Sequence, residues 1–256
     1  MGLRSTLAPA LLAAALATSA GAQPFEPDVT NSEFGCMRRV ADEAQDFVKK
    51  RLACVIRCTK NFWRGAVPES ECVPPYAGKT LECITRYRGP EQRLTDTIDG
   101  CLNSCPECWD PSGDCSISGA AATRPGELAD FVDQYVGALF CEFAVATRPE
   151  QTCQRKTTKE LAKMIANVGE CADTCALSAR HGAFPYSECT QPSDSVIAAC
   201  IAPENARRVA RIDKACAEAV ADPTFCEGGY PSGATWDELV RAGFVSYFAL
   251  DDFCGS

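Results

Sequence analysis

GAVPESEC occupies residues 65–72, and GAFPYSEC occupies residues 182–189, 117 positions further on. Each octet opens on glycine, carries proline at its fourth position and ends in cysteine. Glycine tolerates the left-handed conformation that closes a helix, proline stiffens the turn behind it, and cysteine can tie the loop down. The octet therefore reads as a loop between two helices, written twice.

Sliding the chain against itself by 117 residues brings five cysteines into register: Cys36 on Cys153, Cys54 on Cys171, Cys58 on Cys175, Cys72 on Cys189 and Cys83 on Cys200. Arg38 meets Arg155 and Ile84 meets Ile201. Further on the register drifts, as loop insertions would cause. Cys101 then corresponds to Cys216, Cys108 to Cys226 and Cys141 to Cys254, and the PSG of residues 111–113 recurs at 231–233. This pattern predicts a tandem duplication of one domain-sized module, the first over 36–143 and the second over 153–256. Residues 23–35 and 144–152 are expected as linkers.

The module reads as all-α, with about three helices. Val40, Ala44, Phe47, Val48, Leu52, Val55 and Ile56 form an amphipathic stripe, so a helix is expected from Cys36 to Gly65. Cys36 and Cys54 are 18 residues apart, a whole number of turns, and face one direction. The matching helix is expected from Cys153 to Gly182. A second helical region holds TLECITRYR, breaks at Gly89 and Pro90, and resumes as PEQRLTDTIDGCLNSC; its counterpart is expected to break at Ala202, Pro203 and Glu204. The third helix presents Leu128, Phe131, Val132, Tyr135, Val136, Leu139 and Phe143. Its counterpart opens on a capping-box pattern from Thr235 to Glu238 and carries Leu239, Phe244, Tyr247 and Phe248.

Residues 1–22 carry Arg4, an apolar Leu/Ala run, and Ala20 and Ala22 spaced as in an A-x-A cleavage site. They read as a secretory signal peptide cut before Gln23, with too short an apolar run to anchor the chain stably in a membrane. A secreted or periplasmic chain with 18 cysteines is expected to hold nine disulfides. If the first two helices of a module run antiparallel, their ends meet crosswise. That gives Cys54–Cys83 and Cys36–Cys101, with Cys171–Cys200 and Cys153–Cys216. Cys58–Cys72 and Cys175–Cys189 would close the octet loops, each contributing about 3 kcal/mol in the chain-entropy model. The third helices would attach through Cys108–Cys141 and Cys226–Cys254, leaving Cys105 for Cys115.

The formal net charge of −9 argues against binding nucleic acid or anionic headgroups. Metal ligation by these cysteines suits a reducing compartment and often recruits histidine, of which there is one. No metal or cofactor is expected. That histidine, His181, invites a general-base role toward Ser178 or Ser187. As a helix-terminal cation matching Arg64, it is explained without catalysis. Cys105 and Cys108 form a C-x-x-C, the pattern of a thiol–disulfide oxidoreductase, but it follows a helix instead of opening one. Trp109 stands where haem attachment needs histidine. Asp237 and Glu238, and Asp251 and Asp252, read as solvated helix-end charge. Asp110 and Asp114 lack the ligand alternation of an EF-hand loop. Trp63, Trp109 and Trp236 read as core or rim residues.

The cysteine-stapled helices invite comparison with saposin-like lipid-binding domains, but those open on C-x-x-C in shorter modules, so their function does not carry over. The Ala-rich leader, the Cys54-x3-Cys58 helix and the GDC segment before an aromatic helix (residues 113–143) resemble Cys-rich exported helical-repeat proteins of Gram-negative bacteria. That resemblance implies no defined activity or site residues. The expectation is a non-catalytic binding or structural protein, with an extracellular protein or an apolar ligand as its partner. The alternatives are an oxidoreductase using Cys105 and Cys108, and a lipid or apolar-ligand carrier with a cavity between the third helices.

Overall fold

The computed structural model describes residues 29–86, 88–106, 109, 115–116, 119–141, 146–192, 195–222, 225–226 and 229–248. Among these residues the secondary structure is helical and contains no strand. The signal-peptide region, Cys108, Asp110, Asp114, Asp251, Asp252 and Cys254 lie outside them.

Two long helices form the centre, α1 (Asn31–Phe62) and, after the intervening elements, α5 (Arg148–Arg180). Each begins five residues ahead of its first cysteine, inside the stretches expected as linkers, because a capping box starts it there. The Thr30 hydroxyl accepts from the Glu33 amide at 3.2 Å, and the Glu33 carboxylate accepts from the Thr30 amide at 2.6 Å. Thr147 and Glu150 repeat the arrangement before α5. Gly65 at φ 71° and Gly182 at φ 78° close the two helices in the left-handed region. The residue after each glycine donates back to the helix: Ala66 N to Asn61 O at 2.9 Å, and Ala183 N to Ser178 O at 3.1 Å.

α2 (Gly78–Thr85) and α3 (Pro90–Asp99) return along α1, and α4 (Ala120–Leu139) packs on α3. The one-turn α6 (Ser187–Thr190) and the long α7 (Val196–Cys216) return along α5, and α8 (Gly233–Ser246) packs on both α5 and α7. Arg38 reaches Asp173 while Gln45 lies against Gly169, so α1 and α5 pack antiparallel. A single apolar core runs through both halves, including Val48, Leu52, Leu94 and Val136 from one and Leu161, Ile165, Ile212 and Trp236 from the other. Burying one such large side chain contributes about 1.5–3 kcal/mol.

Two helix boundaries correct the sequence reading. The expected break at Pro203 is absent, and α7 runs through it. Pro90 follows Cys83 by seven residues whereas Pro203 follows Cys200 by three, so the second half has no spare chain from which to build a loop. In the first half that spare chain includes Arg88, held at φ 57° ahead of α3. At α8, the cap is Ser232, whose hydroxyl accepts from Thr235 N, in place of the expected start at Thr235.

The disulfides join Cys36 to Cys101, Cys54 to Cys83 and Cys58 to Cys72 around α1. They join Cys153 to Cys216, Cys171 to Cys200 and Cys175 to Cys189 around α5. Cys105 is bonded to Cys115. The expected bonds Cys108–Cys141 and Cys226–Cys254 are replaced by Cys141–Cys226, with Cα atoms 5.4 Å apart. The physical reason is the shared core. α4 and α8 are not closed off within separate modules, so the end of α4 lies beside the loop that leads into α8.

A tight contact sets the position of α8. A Cβ on Gly233 would lie 2.6 Å from the Val209 carbonyl oxygen of α7, a backbone atom that cannot swing away. Gly233→Ala is expected to cost about 2 kcal/mol, read as a lower urea midpoint at unchanged slope.

Candidate functional site

The residues that could carry chemistry do not assemble as the catalytic alternatives require. His181 caps α5 in an exposed position, its amide donating to Leu177 O, while the Ser178 hydroxyl donates to Thr174 O inside the helix. Cys105 is held by Cys115, so the proposed exchange pair with Cys108 is not formed. The carrier alternative fares no better. Between α4 and α8, Phe131 lies 4.8 Å from Phe244 and 6.2 Å from Tyr247 between ring centroids, and Tyr135 donates to Leu239 O at 3.2 Å. A Cβ on Gly243 would come within 2.6 Å of both Phe131 and Tyr135. Rings fill the space where a cavity was expected.

Asp237 has a structural task, accepting from Asn205 Nδ2 at 2.6 Å and pairing with Arg241 at 2.6 Å. Trp236 is fully buried, Trp109 lies under the Arg124 guanidinium, and Trp63 packs against Phe140.

What the fold does assemble is charge. Arg51 on α1 makes a two-pronged contact with Asp133 on α4, Nε to Oδ1 at 2.8 Å and Nη2 to Oδ2 at 2.6 Å, and Tyr76 donates to the same carboxylate at 2.8 Å. Only 8 % of the Arg51 side chain and 14 % of that of Asp133 is exposed. Burial works against the guanidinium's charge, and the Asp133 hydrogen bond and negative charge together outweigh it, so the net shift is upward. Burial, then the Asp133 charge, drives the Tyr76 phenol far above its ordinary range.

The second cluster is centred on Glu160 of α5, whose side chain is 0 % exposed. Lys156 Nζ lies 3.0 Å away, Lys163 Nζ 3.2 Å, Arg208 Nη1 3.5 Å and Arg211 Nη1 3.6 Å. Four cations converge on one carboxylate, and the exposed side of α5 and α7 is left basic in a chain that is acidic overall. Burial raises the Glu160 pKa, but hydrogen bonds from Lys156 and Lys163 and their charges outweigh it and hold the carboxyl at about 2. A depressed carboxyl stabilises the fold above its unfolded pKa, and the contribution disappears as pH falls through the folded value. Stability is therefore expected to fall between about pH 4.5 and pH 2 by about 2 kcal/mol, allowing for the solvent around the lysines. Glu160→Gln should flatten that part of a plot of urea midpoint against pH.

The first half holds a related pair, Arg93 donating to Glu43 at 2.8 Å, with Asp46 3.2 Å from the same guanidinium. Between the halves lies a polar cleft of about 340 Å³, lined by Lys49 of α1, Lys163, Asn167 and Glu170 of α5, and Glu204 and Arg208 of α7. None of these groups stands out in the sequence except through the density of Lys and Arg within residues 155–163 and 207–214, which marks the Glu160 cluster alone.

No family model, curated protein or solved structure matches the chain. Among the described residues, no helix is long and apolar enough to cross a membrane, and no group of His, Cys, Asp or Glu is placed to hold a metal ion.

Proposed function

We propose that the chain is exported, loses residues 1–22, and acts without catalysis as a disulfide-stapled helical scaffold that presents a charged face to a partner. The observation that carries this reading is the bridging of every described cysteine. Such a set is characteristic of compartments where thiols are not kept reduced, which supports export to the periplasm or outside the cell.

The scaffold is, in this reading, a duplicated module. Its support is a run of details that repeat at the 117-residue offset of the octets. The bridges around α1 span 65, 29 and 14 residues and those around α5 span 63, 29 and 14. Thr30 and Thr147 head matching capping boxes. The Glu71 carboxylate accepts from Lys79 N at 3.3 Å, and Glu188 accepts from Val196 N at 3.1 Å. Cys141–Cys226 then locks one half to the other.

Fusing residues 1–22 to a phosphatase that is active only after export tests the localisation. Activity, with a mature N-terminus at Gln23, is expected, and a silent fusion contradicts export. An insulin-reduction assay tests the absence of catalysis. Turnover above the uncatalysed rate would overturn the non-catalytic reading.

A further inference from the structure

The two halves share a scaffold but carry opposite charge at matched positions. α1 and α5 correspond at an offset of 117, and α3 and α7 at 115, the separation of Cys101 from Cys216. This register places Arg93 on Arg208, and both arginines reach the matching acid, Glu43 or Glu160. In the same register Asp42 matches Lys159, Asp46 matches Lys163, Asp96 matches Arg211 and Asp99 matches Lys214. Four aspartates in the first half are four cations in the second. Gln92 likewise becomes Arg207.

Because α1 and α5 pack antiparallel, a rotation that exchanges the two halves keeps matched positions on one side of the helix pair. Lys163 and Arg208 line the cleft on the seam together with Lys49 and Glu170. Asp42 is close enough to Lys49 and Glu170 to feel their charges. One face thus carries an excess of aspartate at one end, where Asp46 is paired with Lys50 and Arg93, and an excess of Lys and Arg at the other, with the cleft between.

We propose that this face is a self-association surface. Two copies meet about a twofold axis, so that the Asp42, Asp46, Asp96 and Asp99 end of each lies over the Lys159, Lys163, Arg211 and Lys214 end of the other. A twofold contact satisfies both ends at once and closes on itself, which a head-to-tail contact would not. An extended polyanion laid along the face would meet the aspartates and be repelled. The matching spacing of the two ends follows from the duplicated scaffold, so the inference rests on that reading.

The test uses the full mature chain in sedimentation velocity. The wild type is expected to dimerise at tens of micromolar in about 0.05 M salt and to dissociate in about 1 M salt, where screening shortens to a few ångströms. One variant, Lys159→Asp/Arg207→Asp/Lys214→Asp, makes both ends acidic and spares every cation that touches Glu160. A second, Asp42→Lys/Asp96→Lys/Asp99→Lys, makes both ends basic. Each alone should raise the dissociation constant about 100-fold, since like charges then face each other. An equimolar mixture of the two should form a salt-sensitive heterodimer. Melting curves establish that both variants fold. A wild-type chain that stays monomeric at low salt overturns the proposal, as does a mixture that fails to pair, whatever acidic partner the basic end then serves. Disulfide mapping tests the duplicated scaffold separately, so a monomer with intact pairings refutes the dimer alone.

Discussion

Asp133→Asn is expected to lower the stability of the fold by about 3–5 kcal/mol, the cost of breaking a buried ion pair while leaving its partner charged. The substitution keeps the shape of the side chain and removes its charge. Arg51, 8 % exposed, then retains a guanidinium beside the Phe47 and Tyr76 rings without its hydrogen-bonded carboxylate. The Tyr76 hydroxyl loses its carboxylate acceptor as well. Arg51→Met should cost nearly as much, because it strands the aspartate instead. The double replacement Arg51→Met/Asp133→Asn should recover most of the loss, because neither desolvated charge is then left alone. Urea denaturation of the four proteins checks this. Strictly additive losses in the double variant would show that the network stabilises through packing and not through charge.

Removing the bond between the halves should have the next largest effect. Taken alone, Cys141–Cys226 spans 85 residues. With Cys153–Cys216 intact, however, the chain can pass through that bridge, and the loop closed is only the 12 residues before Cys153 and the 10 after Cys216. The chain-entropy model then assigns the bond about 3 kcal/mol. Cys141→Ser/Cys226→Ser should lose that much while the pairings around α1 and α5 stay in place. Hydrogen exchange would show the loss concentrated at the end of α4 and the start of α8. A loss spread evenly over α1 and α5 would mean that the halves depend on this bond for their own folding.

The reach of the sequence stops where contacts become long-range. The octets, the apolar stripe of α1 and the 18-residue spacing of Cys36 and Cys54 are local signals, so the helical hairpins and their crosswise sulfur contacts could be read from them. The Cys141–Cys226 bond could not, because a repeat argues for closure within each module and carries no information about how modules share a core. The continuity of α7 through Pro203 depends on packing against α5 and α8, which overrides a local breaker. Glu160 and Arg208 are 48 residues apart, and Arg51 and Asp133 are 82 apart. No periodicity links such positions. The charge inversion between the halves follows from the register of Cys101 on Cys216, but its significance emerged only when Arg93 and Arg208 were seen to reach the matching acids Glu43 and Glu160.

Non-reducing peptide mapping by mass spectrometry tests the central claim most directly, that twin stapled hairpins are locked into one body by a bond between them. The expected map links Cys36 to Cys101 and Cys153 to Cys216, pairs Cys105 with Cys115, and joins Cys141 to Cys226. Peptides joining Cys108 to Cys141 and Cys226 to Cys254, or alkylatable thiols among these residues in the native protein, would contradict it.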